Sequence, residues 1–269
     1  MTPDDAPPLP EDGLPRLAAI MARLRAPRGG CPWDLAQDFD SIAPYTIEEA
    51  YEVADAIARR DWAGLKSELG DLLFQAVYHA QMAAEAGYFT LDDVVRAIAD
   101  KMVARHPHVF GTAEPRTARD QTAAWEAQKA AERAARAQRG VLDDVALALP
   151  ALTRAVKLQD RAARVGFDWP DPGAVVDKIA EEARELLAAP ESARFEEFGD
   201  LLFVIANLAR HLGIDPEGAL RAANDKFVRR FAFIEAALAA RGRRPEESDL
   251  AEMEALWNAA KRAERGQDG

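Results

Sequence analysis

Apolar residues recur every three or four positions along most of this chain, and no stretch alternates convincingly with a period of two. The first period is that of amphipathic helices, the second that of strands. Leu17, Ile20, Met21 and Leu24 form the first stripe, behind Pro15, which suits a first helical turn. Arg28-Gly29-Gly30 ends it. Cys31-Pro32-Trp33-Asp34 reads as a turn with a buried Trp, and a loop then leads to Thr46. Helix 47–60 carries Ile47, Tyr51, Ala54 and Ile57 on one side and Glu48, Glu52 and Asp55 on the other. A second helix, about 62–86, becomes strongly apolar at LLFQAV and closes on Gly87. Thr90 with Asp93 opens a third helix, which must stop near Pro107. A further helix carries Trp125 and runs to about Gly140.

Pro150 starts the next helix and Gly166 ends it, with the loop FDWPDPG after it. Helices follow at about 174–188 and 192–211. Asp215-Pro216 opens another that runs to Gly242, and Ser248 or Asp249 caps a last one carrying Trp257. The expected fold is all-α.

The two halves repeat one acidic pattern. Glu49 and Glu52 form an E-x-x-E step, followed by Glu68 and Asp71 as an E-x-x-D step. Glu182 and Glu185, then Glu197 and Asp200, do the same in the second half. Residues three apart share a helix face, so each step aims two carboxylates one way. Two helices folded back on each other would gather four. The parallels extend to Lys101 and Arg105 against Lys226 and Arg230, and to Trp125 and Lys129 against Trp257 and Lys261. The offsets are 133, 129, 125 and 132 residues, drifting as loop insertions would make them drift. The chain therefore divides into a disordered tail (1–13), an N-terminal helical unit (14–130), a helical connector (131–149) and a C-terminal helical unit (150–266). The duplication is of a whole domain rather than a short solenoid repeat.

Charge sharpens this picture. The chain has 34 Lys and Arg against 46 Asp and Glu, a net −12, which argues against a nucleic-acid polymer as partner, since that binding rests on cationic neutralisation. Cys31 is the single cysteine, so no internal disulfide forms. The N-terminus has no basic region and no apolar run, and no apolar stretch reaches the ~18 residues of a membrane span. A cytoplasmic protein without a membrane partner is expected.

Four facing carboxylates repel one another unless protons or a cation neutralise them. Hard oxygen donors without His or Cys select Mg²⁺, Mn²⁺ or Ca²⁺. Lys226 and Arg230, one helical turn apart, can meet phosphate oxygens. Trp257 can stack on a base, with Lys261 a turn further on. Taken singly, each feature has a plain structural reading. An E-x-x-E is usually a solvated face, Thr46-x-x-Glu49 reads as a capping box, and a lone Trp is more often core. Glu182 has Ile179 at the capping position, so a cap does not account for both copies.

The motifs EEAYE…ELGDLLF and EEARE…EFGDLLF, with CPWD, RHPHVF, GFDW and NLARHLG, resemble the MazG family of nucleoside triphosphate pyrophosphohydrolases over about residues 14–263. The resemblance implies a fold related to the all-helical dUTPases, Mg²⁺-dependent cleavage of NTPs and dNTPs to nucleoside monophosphate and pyrophosphate (Mn²⁺ as substitute), broad base specificity and a homodimer. By motif position Glu182, Glu185, Glu197 and Asp200 would hold metal, with Glu196 a base or supporting group. Lys226, Arg230, Trp257 and Lys261 would face the nucleotide. Glu49, Glu52, Glu68 and Asp71, with Lys101, Arg105, Trp125 and Lys129, match them in the first half. The competing reading is a non-catalytic module that senses nucleotide or metal in the same pocket. Because Pro107 cuts the helix just after Arg105, the second copy is the one expected to supply most of the turnover.

Overall fold

A computed structural model describes residues 8–111, 117, 140–143 and 145–267. The described residues contain helices and turns and no strand, an all-α fold. The chain divides into two compact units, Met1–Glu132 and Arg133–Gly269.

In the first unit α1 spans Gly13–Leu24, α2 Pro32–Ala36, α3 Phe39–Arg59, α4 Trp62–Glu85, α5 Leu91–Arg105 and α6 Pro107–Phe110. The core lies where α1, α3 and α4 meet: Met21, Ile42, Val77, Tyr78 and Met82 are buried together, with Leu14, Leu17, Phe74 and Leu91 packed around them. Burying side chains of this size stabilises by about 1.5–3 kcal/mol each. α3 and α4 form an antiparallel hairpin. Arg60 turns it in the left-handed region (φ 55°) and Asp61 caps α4 by accepting from the Gly64 amide. A non-glycine residue at positive φ is uncommon. Here it lets the chain reverse within two residues, and so sets the carboxylates of α3 against those of α4.

Two expectations for this region fail. α3 starts at Phe39, not 47, because Asp38 and Ser41 form a reciprocal capping box eight residues upstream. Thr46 is therefore inside the helix, where its Oγ1 lies 3.0 Å from His79 Nε2. It caps nothing, and the capping explanation of Glu49 falls with it. The Cys31–Asp34 segment begins a short helix in which Trp33 is exposed, against the expected burial, and Asp34 is buried. Asp34 is held through its carbonyl, which accepts from Tyr78 Oη at 3.0 Å and from the Arg25 guanidinium.

In the second unit α7 spans Ala151–Ala163, α8 Pro172–Ala188, α9 Arg194–His211, α10 Pro216–Ala239 and α11 Leu250–Gln267. Asp171 caps α8 and Asp215 caps α10, each followed by Pro at the first helical position. α8 packs antiparallel to α9, α7 lies on α9, and α10 pairs with α11 around Ile234, Leu238 and Leu256. The connector 131–149 departs from expectation in its described part. Residues 140–143 and 145–149 are turns, bends and irregular backbone; Gly140 donates to the Asp143 carboxylate and Pro150 heads α7. Trp125 and Lys129 lie outside the described residues. No helix among the described residues is long and apolar enough to cross a membrane.

Candidate active site

The α3–α4 hairpin brings together oxygens of Glu49, Glu68 and Asp71, all within 4.8 Å of one another. Glu52, one turn beyond Glu49, lies close enough for its charge to act on Glu68. In the second unit Glu182, Glu185 and Glu197 gather within the same distance across α8 and α9. Asp200 lies one turn on, close enough for its charge to act on Glu197. The E-x-x-E and E-x-x-D steps thus face each other in both copies.

The electrostatics are those of crowded anions. Burial, then the charges of Asp71, Glu52, Glu68 and Glu48, hold the Glu49 carboxyl above its ordinary value. Burial and the charges of Glu52 and Asp71 do the same for Glu68. Glu197 is raised by burial and then by Glu185, Asp200, Glu182 and Glu196. Each quartet spends free energy on this repulsion, and a divalent cation among the oxygens removes it. The donor set, oxygen only and clustered, fits a hard cation.

Lys178 is a residue that sequence reasoning missed. It sits one turn before Glu182 on α8, with Nζ 2.7 Å from Glu182 Oε1 and 2.6 Å from Glu181 Oε1. The two carboxylates push its ammonium above its usual value, Glu181 contributing most. An i, i+4 Lys–Glu spacing was visible in the sequence, but such pairs fill most exposed helices. What singles this one out is that Glu182 is buried, at 6% exposure.

The cationic side is placed unevenly. Arg230 on α10 donates to Glu264 Oε2 from Nε (2.9 Å) and Nη2 (2.7 Å) and lies over the Trp257 ring, 5.2 Å from its centroid. Trp257 also packs 5.5 Å from Phe227 and joins the apolar cluster of α10 and α11. Lys226 is exposed one turn before Arg230, and Lys261 is exposed one turn after Trp257. Glu196 stands exposed in the first turn of α9. In the first unit Lys101 is exposed and Arg105 half-buried at the very end of α5, a helix with no buried residue.

The MazG nucleotide pyrophosphohydrolase domain matches residues 37–110, the stretch that holds the first quartet. Over 257 residues the chain is 52% identical to the nucleoside triphosphate pyrophosphohydrolase of Escherichia coli K12, covering 93% of this chain and 98% of that protein. The chain belongs to the MazG family. It is also 43% identical to the nucleoside triphosphate pyrophosphohydrolase/pyrophosphatase MazG of Thermotoga maritima, over 91% of this chain and 94% of that one. The Bacillus subtilis protein YabN is 43% identical over 96% of this chain, which spans 55% of YabN. Membership in this hydrolase family implies use of a divalent cation, with which both carboxylate clusters are compatible.

Proposed function

We propose that this MazG-family protein is a cytoplasmic, Mg²⁺-dependent nucleoside triphosphate pyrophosphohydrolase, converting NTPs and dNTPs to nucleoside monophosphate and pyrophosphate. The observation that carries the reading is the pair of facing carboxylate steps on α8 and α9, within a chain whose relatives over nearly full length bear that name. Glu182, Glu185, Glu197 and Asp200 would hold Mg²⁺, or Mn²⁺ in its place. The cation supplies neutralisation of the triphosphate and a lowered pKa for an attacking water. Glu196, exposed in the first turn of α9 and outside the closest set, would take the water's proton. Lys226 and Arg230 stabilise negative charge on the phosphates as they separate. The Glu264 carboxylate fixes the Arg230 fork, so the guanidinium is oriented in advance. Trp257 and Lys261 complete the nucleotide side. Lys178 holds the buried Glu182 carboxylate in place and balances part of its charge.

The second unit carries most of the turnover in this reading. The protein works as a homodimer. α5 packs lightly on α4 and on the adjoining α6 and leaves Val94, Val95, Ile98 and Met102 exposed along one side, an apolar stripe suited to a subunit contact. A pyrophosphate-release assay across NTPs and dNTPs, with Mg²⁺ and with EDTA, tests the reading. Release with Mg²⁺ alone is expected. Binding of nucleotide without release would instead favour a sensing module.

A further inference from the structure

The two hairpins differ in the seam that runs on from their carboxylates. At three matching positions the first unit has Thr46, Gln75 and His79, and the second has Ile179, Val204 and Leu208, at offsets of 133, 129 and 129. The second seam is apolar beyond its quartet, whereas the first stays polar. His79 Nε2 meets Thr46 Oγ1 between α4 and α3 at 3.0 Å. Gln75 lies one turn nearer the quartet and is 8% exposed. Its Oε1 is buried and has no hydrogen-bond partner within the protein. A buried acceptor without a donor is uncommon and costly, and it calls for an explanation.

Helix geometry says where that oxygen is aimed. Glu68, Asp71 and Gln75 are spaced i, i+3, i+7 and share one face of α4. Long side chains on a helix lean back over the turn on their N-terminal side. For Gln75 that is the turn of Asp71, whose oxygen gathers with those of Glu49 and Glu68. Ionised carboxylates are acceptors only and cannot donate to the amide oxygen. A cation serves all of them at once.

We infer that Glu49, Glu52, Glu68, Asp71 and Gln75 Oε1 form a Ca²⁺ site that clamps α3 to α4, different in kind from the Mg²⁺ centre proposed for the second unit. This rests on the reading of the quartets as cation sites. Ca²⁺ takes about 6–8 oxygen ligands in adaptable geometry, amide carbonyls among them. Mg²⁺ demands a near-octahedral shell and keeps several waters, so few carboxylates hold it and substrate phosphates share it. Gln75 adds an oxygen to the first site without adding repulsion. Val204 adds none to the second. There Lys178 also occupies part of the donor capacity, with Nζ 2.7 Å from Glu182 Oε1, whereas Tyr45 at the matching position brings no charge. The first unit thus offers more oxygens and no competing cation.

The test is isothermal titration calorimetry of Glu185→Ala with Ca²⁺ alone or Mg²⁺ alone. That substitution disables the second quartet, so binding by the first unit is what is read. Ca²⁺ should bind about 10-fold tighter than Mg²⁺ or more, as ligand number and adaptability dictate. Adding Gln75→Val, which installs the second unit's residue, should weaken Ca²⁺ about 10-fold and leave Mg²⁺ within about threefold. Gln75→Glu keeps an oxygen in place and should retain Ca²⁺ binding. A packing role for Gln75 gives the reverse order, since Val suits a buried seam and Glu does not. Equal affinities for the two ions in Glu185→Ala overturn the inference with no change made at Gln75. So does absence of Ca²⁺ binding at millimolar concentration, or an equal loss of both ions in Gln75→Val. Pyrophosphate release by the wild-type protein with Mg²⁺ separates the two readings. Release together with equal ion affinities leaves the proposed function standing and removes the Ca²⁺ site. A Ca²⁺ preference that depends on Gln75, without release, leaves the Ca²⁺ site and removes the function.

Discussion

The two units each carry the same four carboxylates in the same order, yet their surroundings differ at four points. α9 begins at Arg194, so Glu197 lies in the first turn, in the field of the helix N-terminus; α4 begins at Trp62, and Glu68 lies a turn deeper, where that field has faded. Lys178 pairs with buried Glu182, whereas the position 133 residues earlier is Tyr45, exposed and edge-on to Trp33. Arg230 stands in mid-helix, held by Glu264 and Trp257; Arg105 is the last residue of α5. Asn207 lines a cavity in the second unit, whereas Tyr78, 129 residues earlier, is packed into the apolar core of the first. Carboxylate geometry survives duplication readily because it is written into helix spacing. What separates a working copy from a scaffold is the set of residues that orient, neutralise and make room.

The comparison breaks most directly at the quartets. Glu185→Ala should lower pyrophosphate release by a factor of about 100 or more, the scale of losing positioned charge at a reacting phosphate. Glu52→Ala should leave it within about threefold, as suits a residue away from the chemistry. Both need a check of folding by circular dichroism. Loss of activity in Glu52→Ala with near wild-type rate in Glu185→Ala would make the first unit the enzyme.

The cationic arms give the next largest effect. Arg230→Ala should cost about 10–100-fold in kcat/KM, mostly in kcat, since its charge acts on developing phosphate charge. Glu264→Gln removes the brace but keeps the guanidinium, so a smaller loss is expected. Arg105→Ala should change kcat/KM little. Steady-state kinetics on one NTP decide all three, and equal losses from Arg230 and Arg105 would erase the distinction between the copies.

Much of this was legible in the sequence, and the reasons it was legible explain what was not. Helix spacing and caps such as Thr90–Asp93 and Asp215–Pro216 are local, so the helices and the facing steps could be read from residue order. The start of α3 was misplaced because Thr46-x-x-Glu49 reads as a cap, although the helix starts at the cap at Asp38 and runs through Pro44. Trp33 was read by residue type, but the placing of this turn is decided by Arg25 and Tyr78, which reach the Asp34 carbonyl from α1's end and from α4. The Asn207 cavity needed tertiary packing: nothing in one amide betrays that the space beside it is empty.

Cation linkage comes third. Glu49, Glu68 and Glu197 have raised carboxyl values in the folded state, so they take up protons at a higher pH than the unfolded chain does. For a raised carboxylate the repulsion is relieved as pH falls through the folded value and is felt in full above it. Protons and Mg²⁺ therefore compete. Mg²⁺ should raise the melting temperature at pH 7.5 by more than at pH 5, measured by differential scanning fluorimetry. In Glu185→Ala the second unit's share of that gain should vanish, leaving only what the first quartet supplies. An Mg²⁺ effect that grows toward low pH would contradict the carboxylate assignment.

The smallest expected effect isolates the built-in counterion. Lys178 lies within 2.7 Å of Glu182, and its ammonium is held above its usual value mainly by Glu181 and then by Glu182. For a lysine raised in the folded state, the stabilisation is complete below the unfolded value and is lost only as pH rises through the folded one, so at neutral pH it is fully present. Lys178→Gln removes it. The metal-free protein should then melt lower by about 1–3 °C, the size expected of one partly exposed ion pair. The second quartet, more negative by one charge, should bind Mg²⁺ more tightly, so the cation's stabilising shift should grow in this variant. Tyr45→Lys makes the reverse change in the first unit and should weaken cation binding there. If Lys178→Gln leaves the Mg²⁺ shift unchanged or reduces it, the lysine is not balancing the quartet, and the contrast between Lys178 and Tyr45 carries no weight in separating the copies.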